Sequence, residues 1–520
     1  MASRRDELNA YTFAKRRTLA SFLQPSPSGS EEGAPRPLRA VLPGTIVGVV
    51  VLAVFGGIGL FSPTAPKGWK TPYANVIVAS KSTTRYVIME TGARTGKKKQ
   101  RQAQLHPVLN MASAKLLLAD GHQDSVMTVE ESVLDSGKIP HGVTVGIPYA
   151  PDRLPSAKEA AAAKRWMVCE RPTSGGEVQQ ATFVLGKDDR RQTDNTSRLT
   201  GGELMYVVSD DKAKKEYVVD ARGTKYAVSA ANDIEKQQLL RALDADGRTP
   251  QKVSDEWLAT LHDGTPVSFP SVGAAAGSPS RNNGSLDASA NKVGKVLVTE
   301  NATNGVQYYV VLADRIATVT PFTAQLLLAS KDLSAVNPSS EAQKVALGQI
   351  VTDGRFADDK NWPTRHAKTI NDATATTHGR NVICNTLRGV GASNSTSLST
   401  WAGDDFPVPL ATGSSSTYVT PGSGQLFRQV QGTDNSGGTF LVTDTGLRYA
   451  LQSNSDGDAD GKGVGLSEKQ RKELLQEARI AQTRLGYENT PTTDIPLEWA
   501  KLLPTGPRLS IGAASQPQGS

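Results

Sequence analysis

The sequence predicts a single-pass membrane protein with an extracytoplasmic mixed α/β (α+β) domain. That domain is read as a pseudo-twofold tandem duplication: a central β-core plus four small repeat domains. Three observations predict it. A heptad recurs four times, as YVIMETG from Tyr86, YVVDARG from Tyr217, YVVLADR from Tyr309 and FLVTDTG from Phe440. The first two starts lie 131 residues apart and so do the last two, so one shift of 223 residues relates the pairs. Val41 to Phe61 is 21 residues without a charge. The only two cysteines, Cys169 and Cys384, sit in related settings, WMVCE and NVICN.

The shift extends beyond the heptads, as an internal duplication requires. YVVDARGTKYAV from Tyr217 aligns without a gap on FLVTDTGLRYAL from Phe440. LNMASAKLLLA from Leu109 resembles TPFTAQLLLA from Thr320, and WLATLHDGTPVSF from Trp257 resembles WAKLLPTGPRLS from Trp499. The halves run over 76–270 and 293–510, each with two repeat units and one cysteine-bearing strand. Residues 271–292, rich in Gly, Ser and Asn, read as a flexible joint. Residues 62–75 read as a proline-bearing stalk and 511–520 as a disordered tail.

Equivalent atoms of two such halves meet only near their pseudo-twofold axis. A disulfide needs Cα atoms within ~4.4–6.8 Å, so a Cys169–Cys384 bond would sit at that axis. The alternative is two buried free thiols, the commoner state in the cytosol. Topology favours the bond, because disulfides persist outside the cytoplasm. The uncharged stretch, as a helix, spans ~30 Å of hydrocarbon. Forty residues precede it, too long a leader for a cleaved signal peptide. Seven basic groups in those forty residues (1–40) place the N-terminus in the cytoplasm by the positive-inside rule. The transmembrane helix is thus 41–61 and both cysteines lie outside.

Element by element, LNAYTFAKRRTLASFL from Leu8 mixes apolar residues with Lys15, Arg16 and Arg17. It reads either as a helix on anionic headgroups or a cytosolic partner, or as a disordered basic tail. Residues 75–80 and 85–89 are β-branched and aromatic and read as strands. GARTGKKKQRQ at 92–102 reads as a basic hairpin tip, or as a contact for an acidic surface. A helix is expected over 110–119 and another in the Ala-rich stretch before Trp166. GVTVGI at 142–147 and Arg165 to Cys169 read as strands of the central sheet. Asn232 with Glu235, and Ser467 with Gln470, have capping-box spacing ahead of helices. Gly92, Gly223 and Gly446 share the turn position after the heptad's strand, where positive φ is often required. Arg315 holds that position in the third copy.

Chemistry-bearing motifs are scarce. No G-x-x-x-x-G-K-[ST] phosphate loop, G-x-S-x-G or H-E-x-x-H occurs. Ser209 to Lys212 matches S-x-x-K without its companion motifs. The six histidines lack ligand spacing, and no cofactor is expected. Asp456, Asp458 and Asp460 match the opening of a calcium loop, but Ser467 stands where the bidentate Glu belongs. An acidic Gly-rich loop is the favoured reading and a weak calcium site the other. The formal charge is +7, and the tail's seven basic and four acidic groups leave +4 on the rest. That excludes the footprint of a nucleic-acid binder.

Taken together, RRDELNAYTFAKRRTLASFL, the single anchor, PTAPKGW, NVIVASKSTTRYV, LHPVLNMASAKLLL, VTPFTAQLLL, the two long repeats and the cysteine pair resemble EccB of actinobacterial type VII (ESX) secretion systems. The resemblance covers nearly the whole chain. It implies a structural subunit of a hetero-oligomeric membrane secretion complex, beside the EccC ATPase, EccD and EccE. It also implies a cytoplasmic helix, one anchor, a β-core with four repeat domains, and a disulfide that carries over onto Cys169 and Cys384. The family repeats resemble a wall-binding module, which implies peptidoglycan contact. ATP hydrolysis proposed for some members finds no nucleotide motif here. A stand-alone cell-wall-binding protein and a nucleotide-hydrolysing subunit are the alternatives. Arg315 departs from the family's Gly at that turn.

Overall fold

The computed structural model describes residues 3–23, 37–61, 65–95, 98–122, 125–173, 177–301, 305–375, 378–410, 417–432, 437–451 and 468–518. The chain divides into two compact units. One is 1–68 with 79–82 and 128–138; the other is 69–78, 83–127 and 139–520.

The first unit holds two long helices. Arg4–Leu23 opens with Asp6 and Glu7 in its first turn, where acids complement the helix dipole. Pro37–Phe61 runs unbroken for 25 residues with Pro43 inside it. Its described side chains, residues 41–55, include exposed Val41, Leu42, Ile46, Leu52 and Phe55. Among the described residues, no helix is long and apolar enough to cross a membrane. The same unit contains a tight acid-capped loop. Glu131 accepts from the Lys81 and Ser82 amides, both at 2.7 Å, and from Ser80 Oγ at 3.0 Å. Chiefly the Ser82 amide holds this carboxylate down at about 2.

The second unit is organised by a five-stranded sheet in the order Thr396–Gly403, Val382–Val390, Arg165–Pro172, Val178–Leu185, Thr417–Val419. The first four strands are antiparallel neighbours, and the last joins in parallel. Alternation sends Trp166 and Val168 into one core with Trp257, Phe427, Phe440 and Trp499. Met167 and Cys169 point to the other face, with Phe183, Cys384 and Trp401. Two buried indoles tie the sheet outward. Trp166 Nε1 donates to Gln425 Oε1 at 2.8 Å, and Trp257 Nε1 donates to Val168 O at 3.3 Å.

Four smaller sheets surround it, and each is an antiparallel meander followed by a helix. The meanders are Val76–Ala79, Arg85–Thr95, Lys98–Val108; Glu203–Ser209, Glu216–Asp220, Thr224–Ala227; Val296–Asn301, Gly305–Val311, Ile316–Val319; and Gly424–Val430, Thr439–Thr443, Arg448–Ala450. The helices are Met111–Leu117, Asp233–Ala242, Pro321–Ala329 and Glu468–Arg484. In every case the recurring heptad begins on the middle strand. In the last three, a short return strand then pairs in parallel with the first: Gln251–Val253, Gln343–Lys344 and Thr493–Pro496. A middle strand flanked on both sides must satisfy all its backbone groups in the ladder and bury its side chains, hence the β-branched and aromatic residues of the heptad.

The helices pair in a set pattern. The helix after the first meander packs on that after the fourth, and the helix after the second packs on that after the third. Leu116, Leu117, Ala481 and Leu485 share one buried cluster. Leu239, Leu243, Phe322 and Leu326 share another.

Several expectations need correction. Residues 271–292 are not a joint but a bonded loop on the third meander. Ser280 Oγ donates to Leu312 O at 2.6 Å, Arg281 N to Ala313 O at 2.8 Å, and Ala290 is fully buried. Its Ser and Asn side chains supply the bonds that make it ordered, as Asn282 Nδ2 to Asn291 Oδ1 shows. Residues 511–518 of the expected tail are likewise built in. Ile511–Ala514 is a capped helix with Ala514 buried, and Gln518 bonds to Thr144 O and Gly146 O, both at 2.8 Å. Residues 142–147 do not enter the central sheet. Val145 makes a single parallel bridge to Val108, and His141 just before the segment makes another to Leu105. The 92–102 segment is paired strand rather than loop except at 96–97, outside the described residues.

Deleting residues 511–520 removes a buried alanine and the hydrogen bonds that join Gln516 and Gln518 to Thr144 and Gly146. The expected loss is about 2 kcal/mol. Thermal unfolding of the truncated chain checks it, with an unchanged midpoint contradicting the docked tail.

Candidate functional site: the disulfide core and the basic helix

The two cysteine strands lie side by side, and Cys169 sits directly opposite Cys384. Glu170 pairs with Ile383 and Val168 with Asn385, so the register is symmetric about the cysteine pair. The sulfurs are bonded, with Cα atoms 4.0 Å apart. Both residues are fully buried. The bond closes a loop with a sequence separation of 215. The chain-entropy model values that at about 5 kcal/mol.

The residue after each cysteine is polar, and both reach the same helix, Asp255–Ala259. Glu170 grips its N-terminus. Its carboxylate accepts from Ser254 N at 3.0 Å, Ser254 Oγ at 2.5 Å and Gln180 Nε2 at 3.0 Å. Asn385 grips the other end, donating to Thr260 O at 2.8 Å and to Thr260 Oγ1 at 3.0 Å. Burial raises the Glu170 carboxyl above its ordinary 4.5 despite these donors. Sequence reasoning missed this clamp. The available signal was the polar residue that directly follows the cysteine in each strand.

The repeat turns differ. Gly223 has φ +75° and Gly446 φ +80°, the left-handed region that L residues avoid. A Cβ on Gly223 would come 2.7 Å from Leu398 Cβ. On Gly446 the nearest atom would be Thr417 Cβ at 3.4 Å. Asp220 fastens the Gly223 turn, accepting from the Arg222 and Thr224 amides, both at 2.9 Å. Gly92 is not at a turn. It pairs with Arg101 inside a hairpin that runs on to Thr95, because this first hairpin is longer than the others. Arg315 closes its turn with negative φ, Leu312 N donating to Arg315 O at 2.8 Å.

Lys15, Arg16 and Arg17 lie exposed on the Arg4–Leu23 helix, as do Tyr11, Phe13 and Phe22. They belong to the first unit and the disulfide core to the second. Asp456, Asp458, Asp460 and Ser467 lie outside the described residues. Among the described residues, no group of three or more His, Cys, Asp or Glu is placed to hold a metal ion.

Three outcomes test this geometry. Cys169→Ser should cost several kcal/mol and make the melting midpoint insensitive to reductant, with an unchanged midpoint contradicting the staple. Gly223→Ala should cost about 2 kcal/mol or more and Gly446→Ala only about 1 kcal/mol, read by denaturant unfolding. For Glu170 the folded carboxyl titrates above 4.5, so the unfolded chain ionises first and stability falls as pH rises from 4.5 through the folded value. Glu170→Gln should remove that slope from the pH dependence of the midpoint.

Comparison with known proteins fits this architecture. A family model described as "Type VII secretion system ESX-1, transport TM domain B" matches residues 1–519. The ESX-3 secretion system ATPase EccB3 of Mycolicibacterium smegmatis is 27% identical over 499 residues, covering 92% of this chain and 83% of that protein. The ESX-5 secretion system ATPase EccB5 of Mycobacterium marinum is 30% identical over 232 residues, 43% of this chain and 42% of that protein. Solved structures share the fold. A chain of the intact ESX-5 inner membrane complex superposes with TM-score 0.57 at 20% identity, covering 100% of this chain and 96% of that one. The EccB3 dimer of the ESX-3 core complex gives 0.55 at 22%, covering 85% and 99%. With the family model matching from end to end, the chain belongs to the EccB family of type VII (ESX) secretion systems.

Proposed function

We propose that this chain is a structural subunit of a type VII secretion inner membrane complex, acting as a scaffold and not as a catalyst. In this reading Val41–Phe61 is its one membrane anchor and the N-terminal helix lies in the cytoplasm. The β-core and four meander units stand outside, formed by duplication of a half that carried two meanders and one cysteine strand. The observation that carries the reading is what the core holds: a buried disulfide and a hydrogen-bonded clamp, groups that fix geometry. The uncharged 21 residues support the anchor, and the seven basic groups before them support the orientation.

In the same reading its partners are EccC, EccD and EccE in a hetero-oligomer, and the outer meanders contact peptidoglycan. Relatives named as ATPases make nucleotide hydrolysis the second reading. Against it stands the missing phosphate-loop motif.

The basic helix supplies the test. Replacing Lys15, Arg16 and Arg17 together with Glu inverts six units of charge on an exposed helix. Co-purification in mild detergent should then recover far less of the other membrane subunits, while the disulfide and the melting midpoint stay unchanged. Full recovery of the complex would reject the helix as an assembly element.

A further inference from the structure

One end of the central sheet sets Arg388 and Arg198 on the carboxylate of Asp194, with Arg165 and Arg190 close by. Arg388 Nη1 lies 2.6 Å from Asp194 Oδ1, and Arg198 Nη1 lies 3.3 Å from the same oxygen. Arg165 Nη1 donates to Arg388 O at 3.4 Å. Arg190 opens the 3-10 turn just before Asp194. The Nε atoms of Arg165 and Arg190 are shut off from solvent and have no hydrogen-bond partner among the described residues. Guanidinium nitrogens that lose water without gaining an acceptor are costly, and like charges at close range add to the cost. Burial and the neighbouring Arg388 both lower the hold of Arg165 on its proton.

Two further features set this end apart. The ladder between Val382–Val390 and Thr396–Gly403 passes from Leu387↔Leu398 to Gly389↔Ser397, leaving Arg388 as a bulged residue. Bulges re-aim a side chain and recur beside functional sites. The residue 215 positions after Arg165, the separation of the cysteines, is Arg380. That arginine is satisfied: it donates to Ala402 O at 2.9 Å and Ser197 O at 3.0 Å, and Glu203 Oε1 lies 3.6 Å away. At this end Arg388 is satisfied too, donating to Ser399 Oγ at 2.6 Å and to Thr193 O at 3.3 Å beside its contact with Asp194; what sets the end apart is the pair of buried Nε atoms of Arg165 and Arg190.

We propose that Arg165, Arg190, Arg198 and Arg388 form a binding site for an oxyanion of the phosphate class. Guanidinium forks match phosphate oxygens in pairs. Four cations against one carboxylate call for a ligand carrying more than one negative charge, which phosphate does at neutral pH. The ligand is either a free phosphate or a phosphate ester on a larger molecule.

Isothermal titration calorimetry on the full chain in detergent, at fixed ionic strength, tests the site with inorganic phosphate and with a glycerol phosphodiester. Wild type should bind at least one. Arg165→Gln and Arg190→Gln should each weaken binding tenfold or more, while Arg355→Gln, an exposed arginine beside Asp358, should leave it unchanged. Tighter binding of inorganic phosphate identifies the free anion; tighter binding of the diester identifies the ester. In phosphate-free buffer both Gln variants should melt no lower than wild type, since each removes a repelling charge. No binding of either probe, or equal binding by wild type and variants, would overturn the proposal.

Discussion

The antiparallel pairing of Arg165–Pro172 with Val382–Val390 is the constraint on which the second unit depends. These strands lie more than 200 residues apart in sequence and adjacent in space. Non-local pairing of that order carries a large loop-closure cost before any contact returns it. The disulfide at the centre of the pair removes much of that cost from the unfolded chain. Everything else hangs from this pair. Its outer neighbours extend the sheet, its Trp166 reaches the fourth meander through Gln425, and its Glu170 and Asn385 hold the short helix after the second.

Such an arrangement suits a subunit whose role is geometric. A sheet stapled at its centre and gripped by tryptophans on one face resists shear between the meanders it carries. The polar clamp adds direction, because a capped helix accepts one orientation. Burial of Glu170 costs stability at neutral pH, and the three donors around it show how the fold offsets that cost. The helix pairs, first with fourth and second with third, each close two meanders around a buried cluster of their own.

Much of this was legible in the sequence, and for identifiable reasons. The heptads mark middle strands because those strands are flanked on both sides and demand β-branched and aromatic residues. The equivalent spacing of Cys169 and Cys384 pointed to their meeting. What escaped depends on long-range partners. The polar 271–292 segment has the composition of a linker, yet its Ser280, Asn282 and Asn291 bond to one another and to the third meander. Residues 511–518 are held by residues 144 and 146, which no local pattern announces. Gly92 misled because the first hairpin continues past the position where the second and fourth turn. The arginine cluster arises from a bulge at Arg388, and a bulge leaves no mark in a single sequence.

The most direct measurement is hydrogen exchange, read by mass spectrometry, on the intact protein before and after reduction of the disulfide. The account predicts that residues 165–172 and 382–390 are the slowest-exchanging segments when oxidised, and that reduction accelerates both together by the same factor. Fast exchange in the oxidised protein, or acceleration of one strand alone, would contradict it.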